Sequence, residues 1–322
     1  MPELPDITVY VESLAAKVQG DHLRRVRLLN PFLLRTAVPP IASIEGRRVT
    51  GVERLGKRVV IALDGELFLV LHLMIAGRLK WLAAGAKPPA GKATLAVFEF
   101  GGGALVFTEA GTTRRASLHL LQGRDALAAS DPGGIDVMAC ESSDFAARLR
   151  SENHTVKRAL TDPRLVSGIG NAYSDEILHR ARLSPLLLTR KLDDAQIASL
   201  LSATRSVLGE WIDLLRAEAA RTGWPDKVTA FRPEMAVHGR YGQPCSVCGA
   251  PVQRIVHGGA APKLTAFAAP RGGAGSFGAA RQAPGNETNY CARCQTGGKL
   301  LADRALSQLL KASWPKHIDD LG

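Results

Sequence analysis

The chain has 322 residues, 46% of them hydrophobic and 22% charged, with a formal charge of +11 and a pI of about 9.7. That length suits two modest domains and an appendage, each large enough for a core of its own, and the excess of Lys and Arg points to a polyanionic partner. Nucleic acid is favoured over a membrane: no apolar run approaches the roughly 20 residues of a spanning helix, and the start carries Glu3 and Asp6 instead of a basic signal region. A cytoplasmic protein is expected.

Taken in chain order, Ile7, Val11, Leu14 and Val18 recur near helical spacing and predict a helix over about 5–18, with Pro5 in its first turn and Asp6 favouring the positive end of the helix dipole. From about 23 to 122 the texture changes to short β-rich runs. Arg58–Leu63, then Asp64-Gly65, then Leu67–Val70 is a hairpin signal, and Ala96–Phe100, three glycines and Ala104–Phe107 form another. A β-sandwich of about eight strands is the economical reading. Beyond Asp131-Pro132-Gly133-Gly134 the pattern turns helical, with helices expected near 142–150, 153–161, 172–182 and 193–220. The last carries Ile197, Leu200, Leu201, Leu208, Trp211, Ile212 and Leu215 on one side, which is core and not a cofactor site. Strand-like residues at Met235–His238 lead into a cysteine region. The domain division expected is 1–130, 131–234 and 235–300, followed by a tail, 301–322, whose part after Trp314 has no readable role.

Pro2 becomes the N-terminus once Met1 is removed. Its secondary amine would have a pKa near the roughly 8 of α-amino groups, not the roughly 10.4 of a lysine. Substantially unprotonated near neutral pH, it could attack an electrophilic carbon and form an iminium at a sugar C1′, with Glu3 beside it for proton transfer. The plainer reading is that these residues only start a helix. Lys57 follows Gly56 at the start of a predicted strand. Ser167-Gly168-Ile169-Gly170-Asn171 precedes a predicted helix, and its glycines allow a tight turn that would present unpaired amides to an anion such as a phosphate. Cys245, Cys248, Cys291 and Cys294 form two C-x-x-C pairs, a thiolate set that suits a tetrahedral structural zinc with no open position. Cys140 stands alone and reads as an incidental side chain. Between Cys248 and Cys291 lie 42 residues, more than the roughly 15–20 usual in such sites. The excess, about 257–285, is rich in Gly, Ala and Pro, has no acidic residue, and reads as a flexible basic loop.

Pro2-Glu3-Leu4-Pro5, Lys57, the Gly168–Asn171 turn and the two cysteine pairs, in this order, resemble the formamidopyrimidine-DNA glycosylase and endonuclease VIII family over most of the chain. The resemblance implies an α+β multidomain fold: an N-terminal β-sandwich with an N-terminal helix, a helix-two-turn-helix domain and a C-terminal zinc ribbon. It implies a bifunctional DNA glycosylase and AP lyase of base excision repair, acting on damaged double-stranded DNA through a Pro2 Schiff base and β,δ-elimination. One structural Zn2+, no redox cofactor and a monomer are expected. By the same resemblance Lys57 reaches the DNA backbone beside the catalytic proline, Lys157, Gly170 and Asn171 contact phosphates, and Met74 is the candidate to fill the gap left by an extruded base.

The chain also departs from the family. Asp6 stands where Glu is usual, Asn286 stands where an arginine is usual at the tip of the zinc hairpin, and Met74 is shifted by one place. The segment Thr108–Arg115 has no recognisable Arg and Phe pair, and the capping loop between about Arg221 and Arg232 is short. Two other readings remain open from the residues: a non-catalytic protein that binds damaged or gapped DNA, and a tautomerase using the proline as a base.

Overall fold

The computed structural model describes residues 1–111, 113–226, 232–257, 286–301 and 315–321. Its first element is α1 (Leu4–Val18), followed by β1 (His22–Leu23), β2 (Arg25–Leu28), β3 (Arg47–Leu55), β4 (Arg58–Leu63), β5 (Leu67–His72), β6 (Gly77–Ala83), β7 (Thr94–Glu99), β8 (Gly103–Glu109) and β9 (Ser117–Gln122). These strands form two antiparallel sheets, ordered β1-β3-β4-β5-β9 and β2-β7-β8-β6. Both hairpins read from the sequence are present. β4 pairs with β5 around Asp64-Gly65, where Gly65 has φ +80°, and β7 pairs with β8 around the three glycines.

The helical part follows: α2 (Arg124–Ala129), α3 (Ser142–Arg150), α4 (Val156–Thr161), α5 (Asn171–Arg180) and α6 (Asp194–Thr222). Helix α6 starts where the Asp193 carboxylate accepts from the Gln196 amide at 2.7 Å and stops at Gly223, whose φ of +78° no helix can continue. The last part holds β10 (Gln253–His257), β11 (Asn286–Tyr290) and α7 (Ala292–Thr296). The two strands pair in register from Gln253 opposite Tyr290 to His257 opposite Asn286. The long spacing between the cysteine pairs is thereby explained: the extra segment leaves and re-enters at the hairpin tip. Its residues 258–285, with the expected loop character, lie outside the described residues.

Helix α1 is shared between two cores, which is why it can carry the N-terminus to the junction of the domains. Ile7, Tyr10, Leu14 and Val18 face the sandwich interior with Val59, Ile61, Leu69 and Phe107. Leu4 and Val9 instead join the helical core with Ile169, Tyr173 and Leu215. Each such fully buried side chain contributes about 1.5–3 kcal/mol relative to exposure. Trp224, just past α6, returns to the sandwich core, where its indole N–H donates to the Leu79 carbonyl at 2.9 Å.

Two expectations are corrected by the backbone. Met235–His238 is not a strand; it is an irregular turn whose Ala236, Val237 and His238 amides all donate to the Glu176 carboxylate at 2.7–2.9 Å. The chain end has a structural role as well: Ile318 is buried in the cysteine-region core, its amide donates to the Gly298 carbonyl at 2.8 Å, and Lys299 bridges to His317.

Candidate active site and metal centre

Three segments meet at the N-terminus. The Leu4 amide donates to the Gly168 carbonyl at 2.9 Å, which draws the turn before α5 onto the start of α1. Glycine is required there. Gly168 has φ +84°, and a Cβ on it would stand 2.9 Å from the Leu4 Cβ. The Glu3 carboxylate then accepts from the amides of Gly170 (2.6 Å), Ala172 (2.9 Å) and Tyr173 (3.3 Å). The first turn of α5 is thus an anion site, as its sequence indicates, but the anion is a carboxylate of the same protein. Unpaired amides and the helix dipole both favour a negative charge there, and Glu3, 2% exposed, supplies it. The Gly170 amide, expected to contact phosphate, donates to Glu3 in this structure.

Pro2 is buried directly before this clamp. The Met1 amine ahead of it has its pKa held below the ordinary 8.0, first by burial and also by the Arg78 and Lys57 charges, with Glu3 and Asp6 pulling the other way. Lys57 sits in the β3–β4 turn, half-buried, with its pKa pushed down by burial and raised in part by the Glu3 charge. Arg54 braces that turn, donating to the Gly56 carbonyl at 3.2 Å and to Asp136 of the helical domain at 2.5 Å. Pro2, Glu3 and Lys57, 55 residues apart in sequence at their extremes, share one electrostatic neighbourhood.

Asp6 completes the start of α1, its Oδ2 accepting from the Glu3 amide at 2.9 Å. Its Oδ1 is buried with no hydrogen-bond partner, and burial raises its pKa to about 7. This carboxyl borders a cavity of about 130 Å³ between α1 and the end of α6, also lined by Val9, Leu215, Glu218, Trp224 and Arg232. The expected capping segment enters the described residues only at its two ends, since 227–231 lie outside them.

Lys157 is placed under α5 and not towards solvent. It is 9% exposed, and its ammonium donates to the Asn171 carbonyl at 3.2 Å and forms a close ion pair with Asp175. Asp175 also accepts from His238 Nδ1 at 2.8 Å and from the Asn289 amide at 3.1 Å. The lysine therefore positions the residue expected to contact phosphate. Met74 lies in the β5–β6 turn, half-buried, at φ +52° and outside every core cluster, while its neighbour Ile75 is 52% exposed. In the second segment the buried Glu109 carboxylate gathers the Arg115 and Ala116 amides at 3.0–3.3 Å, shaping a loop with Arg115 outward.

His72 was not singled out by sequence. It pairs across β4–β5 with Arg58, and its pKa is lowered to about 4, first by burial and then by Arg58, Lys57 and His119. The signal available for it was a histidine ending a strand beside Lys57.

The four cysteines are free thiols whose sulfurs all lie within 4.8 Å of one another. Cys248 and Cys291 approach to 3.4 Å and Cys245 and Cys294 to 4.0 Å, bracketing the roughly 3.8 Å edge of a tetrahedron with 2.3 Å metal–sulfur bonds. The donor set fits a closed four-sulfur metal site. His179 Nε2 stands 3.3 Å from Cys245 Sγ. Asn286 is at the hairpin tip, at the head of β11.

Residues 1–116 match the formamidopyrimidine-DNA glycosylase N-terminal domain, and residues 132–219 match the formamidopyrimidine-DNA glycosylase H2TH domain. The chain belongs to the formamidopyrimidine-DNA glycosylase family. It is 32% identical to the formamidopyrimidine-DNA glycosylase of Moorella thermoacetica over 79% of this chain and 94% of that protein. With the enzyme of that name from Thermus thermophilus it shares 33% identity, over 80% of this chain and 95% of that one. Among solved structures it is similar to MutM in complex with DNA containing carbocyclic 8-oxo-G, with a TM-score of 0.73 at 22% identity, covering 92% of this chain and 100% of that one. The Lactococcus lactis formamidopyrimidine-DNA glycosylase bound non-covalently to AP-site DNA matches with a TM-score of 0.71 at 21% identity, over 91% of this chain and 99% of that one. The two structures support the fold, a sheet domain and a helix-two-turn-helix domain followed by a cysteine cluster. Among the described residues no helix is long and apolar enough to cross a membrane.

Proposed function

We propose that the protein is a bifunctional DNA glycosylase and AP lyase of base excision repair that removes oxidised bases from double-stranded DNA. The observation that carries this reading is the clamp at the N-terminus: Pro2 is buried at the domain junction, and the adjacent Glu3 carboxylate is held by three α5 amides beside Lys57.

The chemistry follows from that arrangement. A damaged nucleotide must first leave the stack, because its C1′ is shielded inside duplex DNA. The cavity bordered by Asp6 supports a place for the extruded base. With Met1 removed, the Pro2 nitrogen attacks C1′ and the bond to the base breaks, the base departing with its bonding electrons and gaining a proton. Glu3, fixed in place, assists opening of the sugar ring by proton transfer at its oxygen. The resulting iminium draws electrons from C2′, whose proton is lost as the 3′-phosphate leaves. A second elimination releases the 5′-phosphate, and hydrolysis frees the proline. In this reading Lys57 and Asn171 contact the flanking phosphates, and Lys157, which donates to the Asn171 carbonyl, holds Asn171 from below. Such contacts are salt-dependent and largely blind to sequence.

The metal is zinc in this reading. Bound by Cys245, Cys248, Cys291 and Cys294, it would hold the ribbon's fold and take no part in the reaction. The protein acts as a cytoplasmic monomer on chromosomal DNA, its domains dividing at about residues 130 and 234.

Borohydride trapping on oligonucleotides bearing an abasic site, an oxidised purine or an oxidised pyrimidine tests the proposal. Wild-type chain forms a covalent complex, Pro2→Gly loses it, and Glu3→Gln loses base excision more than abasic-site cleavage. Wild type with a free Pro2 that binds these DNAs but neither traps nor cuts them would leave a damage-binding protein instead.

A further inference from the structure

We propose that His179 donates its Nε2–H to the Cys245 sulfur, a hydrogen bond that fastens the metal site to α5, the helix whose first amides hold Glu3. The inference rests on the metal-site reading above.

Helix α5 spans only ten residues, Asn171 to Arg180, yet it meets three different parts of the protein in sequence. Its first turn holds the Glu3 carboxylate. Its second turn carries Asp175, which takes His238 and the Asn289 amide of the ribbon hairpin, and Glu176, which takes the three amides of 236–238. Its last turn carries His179, 6% exposed, with Nε2 at 3.3 Å from Cys245 Sγ. An apolar residue would fill that volume without an orphaned polar atom, so a buried imidazole here is explained by the sulfur it faces.

The direction of the bond follows from the acceptor. A metal-bound thiolate has lone pairs and no proton, so the ring must present N–H at Nε2. The nitrogen is not a fifth member of the ligand set: the group of atoms mutually within 4.8 Å is the four sulfurs. Donors to ligand sulfur orient the ligand and tune the metal's hold, and their loss commonly costs 10–100-fold in affinity.

The test uses the full-length, zinc-loaded chain and needs no DNA. Zinc transfer to an excess of a chromogenic chelator is timed for wild type, His179→Phe and His179→Gln, and the sulfur-to-cobalt charge-transfer band is recorded after cobalt exchange. His179→Phe, which keeps bulk and removes the donor, is expected to weaken zinc retention about tenfold or more and to shift the band to lower energy. His179→Gln, which keeps a donor, restores both in part. Ring-nitrogen NMR of 15N-histidine wild type reads the tautomer without any variant, and the expected form is Nε2–H. Unchanged retention and band position in His179→Phe, a Nδ1–H tautomer, or a cobalt spectrum of three sulfurs and one nitrogen would each overturn the proposal. None of these results touches borohydride trapping, which reads Pro2, so the glycosylase reading stands or falls separately.

Discussion

Gly170→Ala tests whether the α5 clamp sets the position of Glu3. Gly170 has φ −128°, so alanine meets no backbone penalty and the effect is one of space. A Cβ built there would lie 2.5 Å from both Cδ and Oε1 of Glu3, where ordinary contact begins at 3.4 Å. The carboxylate must therefore retreat by about 0.9 Å, giving up its short bond to the Gly170 amide and misaligning the other two. A displacement of about 1 Å in a catalytic group costs on the order of 100-fold in rate, equivalent to about 2.7 kcal/mol. The overpacked site should also lose about 1–3 kcal/mol of stability. The assay is single-turnover excision of an oxidised base from duplex DNA, with thermal unfolding measured in parallel. Gly209→Ala on α6 is the control: its Cβ meets nothing within 4 Å, and replacing a mid-helix glycine should stabilise by about 0.5–1 kcal/mol without changing excision. A Gly170→Ala enzyme that folds normally and excises at the wild-type rate would refute the claim that the clamp positions the carboxylate.

Asp6→Asn bears on pH. The folded pKa of about 7 lies above the ordinary 3.8 because of burial, so between those values the unfolded chain loses a proton that the native chain keeps. Stability attributable to this group then falls as pH rises from about 4 to 7, by at most about 4 kcal/mol. Asn keeps an acceptor for the Glu3 amide and removes the titration, so urea unfolding should show the variant gaining on wild type between pH 5 and pH 8; parallel profiles would contradict the assignment. Glu176→Ala strands the three amides of 236–238 and should cost about 3 kcal/mol or more, with Glu176→Gln intermediate; equal urea midpoints for the Ala variant and wild type would show that this turn is held by something else. Chelation, or Cys245→Ser, should lower the melting temperature and DNA affinity together, because metal binding and folding are one equilibrium in such sites. Unchanged stability after demonstrated metal removal would end the structural-metal reading.

What could be read from the sequence was what is local. The period of Ile7, Leu14 and Val18 is enough for α1, the 142–150 helix is found at those residues, and Asp64-Gly65 marks the β4–β5 turn, because each depends on neighbours a few residues away. The two C-x-x-C pairs carry their chemistry in the spacing itself. Met235–His238 misled because its apolar residues suit a strand, whereas a strand sends successive amides to opposite edges and cannot aim three in a row at one carboxylate, as these do at Glu176. Met74 takes its place from turn geometry, with φ +52° in the turn that ends β5, which its apolar character alone does not announce.

The α5 N-terminus shows where local reading stops. Gly168-Ile169-Gly170-Asn171 opens a helix start whose amides, at Gly170, Ala172 and Tyr173, aim at an anion, and says nothing about which anion arrives. That is decided 167 residues away, where Leu4 bonds to Gly168 and delivers Glu3 into the turn. A phosphate approaching this helix meets the amides of Gly170, Ala172 and Tyr173 already occupied by a carboxylate, and the proposed reading gives the phosphate contact to Asn171, on the same turn and steadied from below by Lys157. Substituting Asn171 should therefore weaken DNA binding without releasing Glu3, whereas substituting Gly170 should release Glu3 with little change in binding. The two adjacent residues of one motif thus separate grip from chemistry.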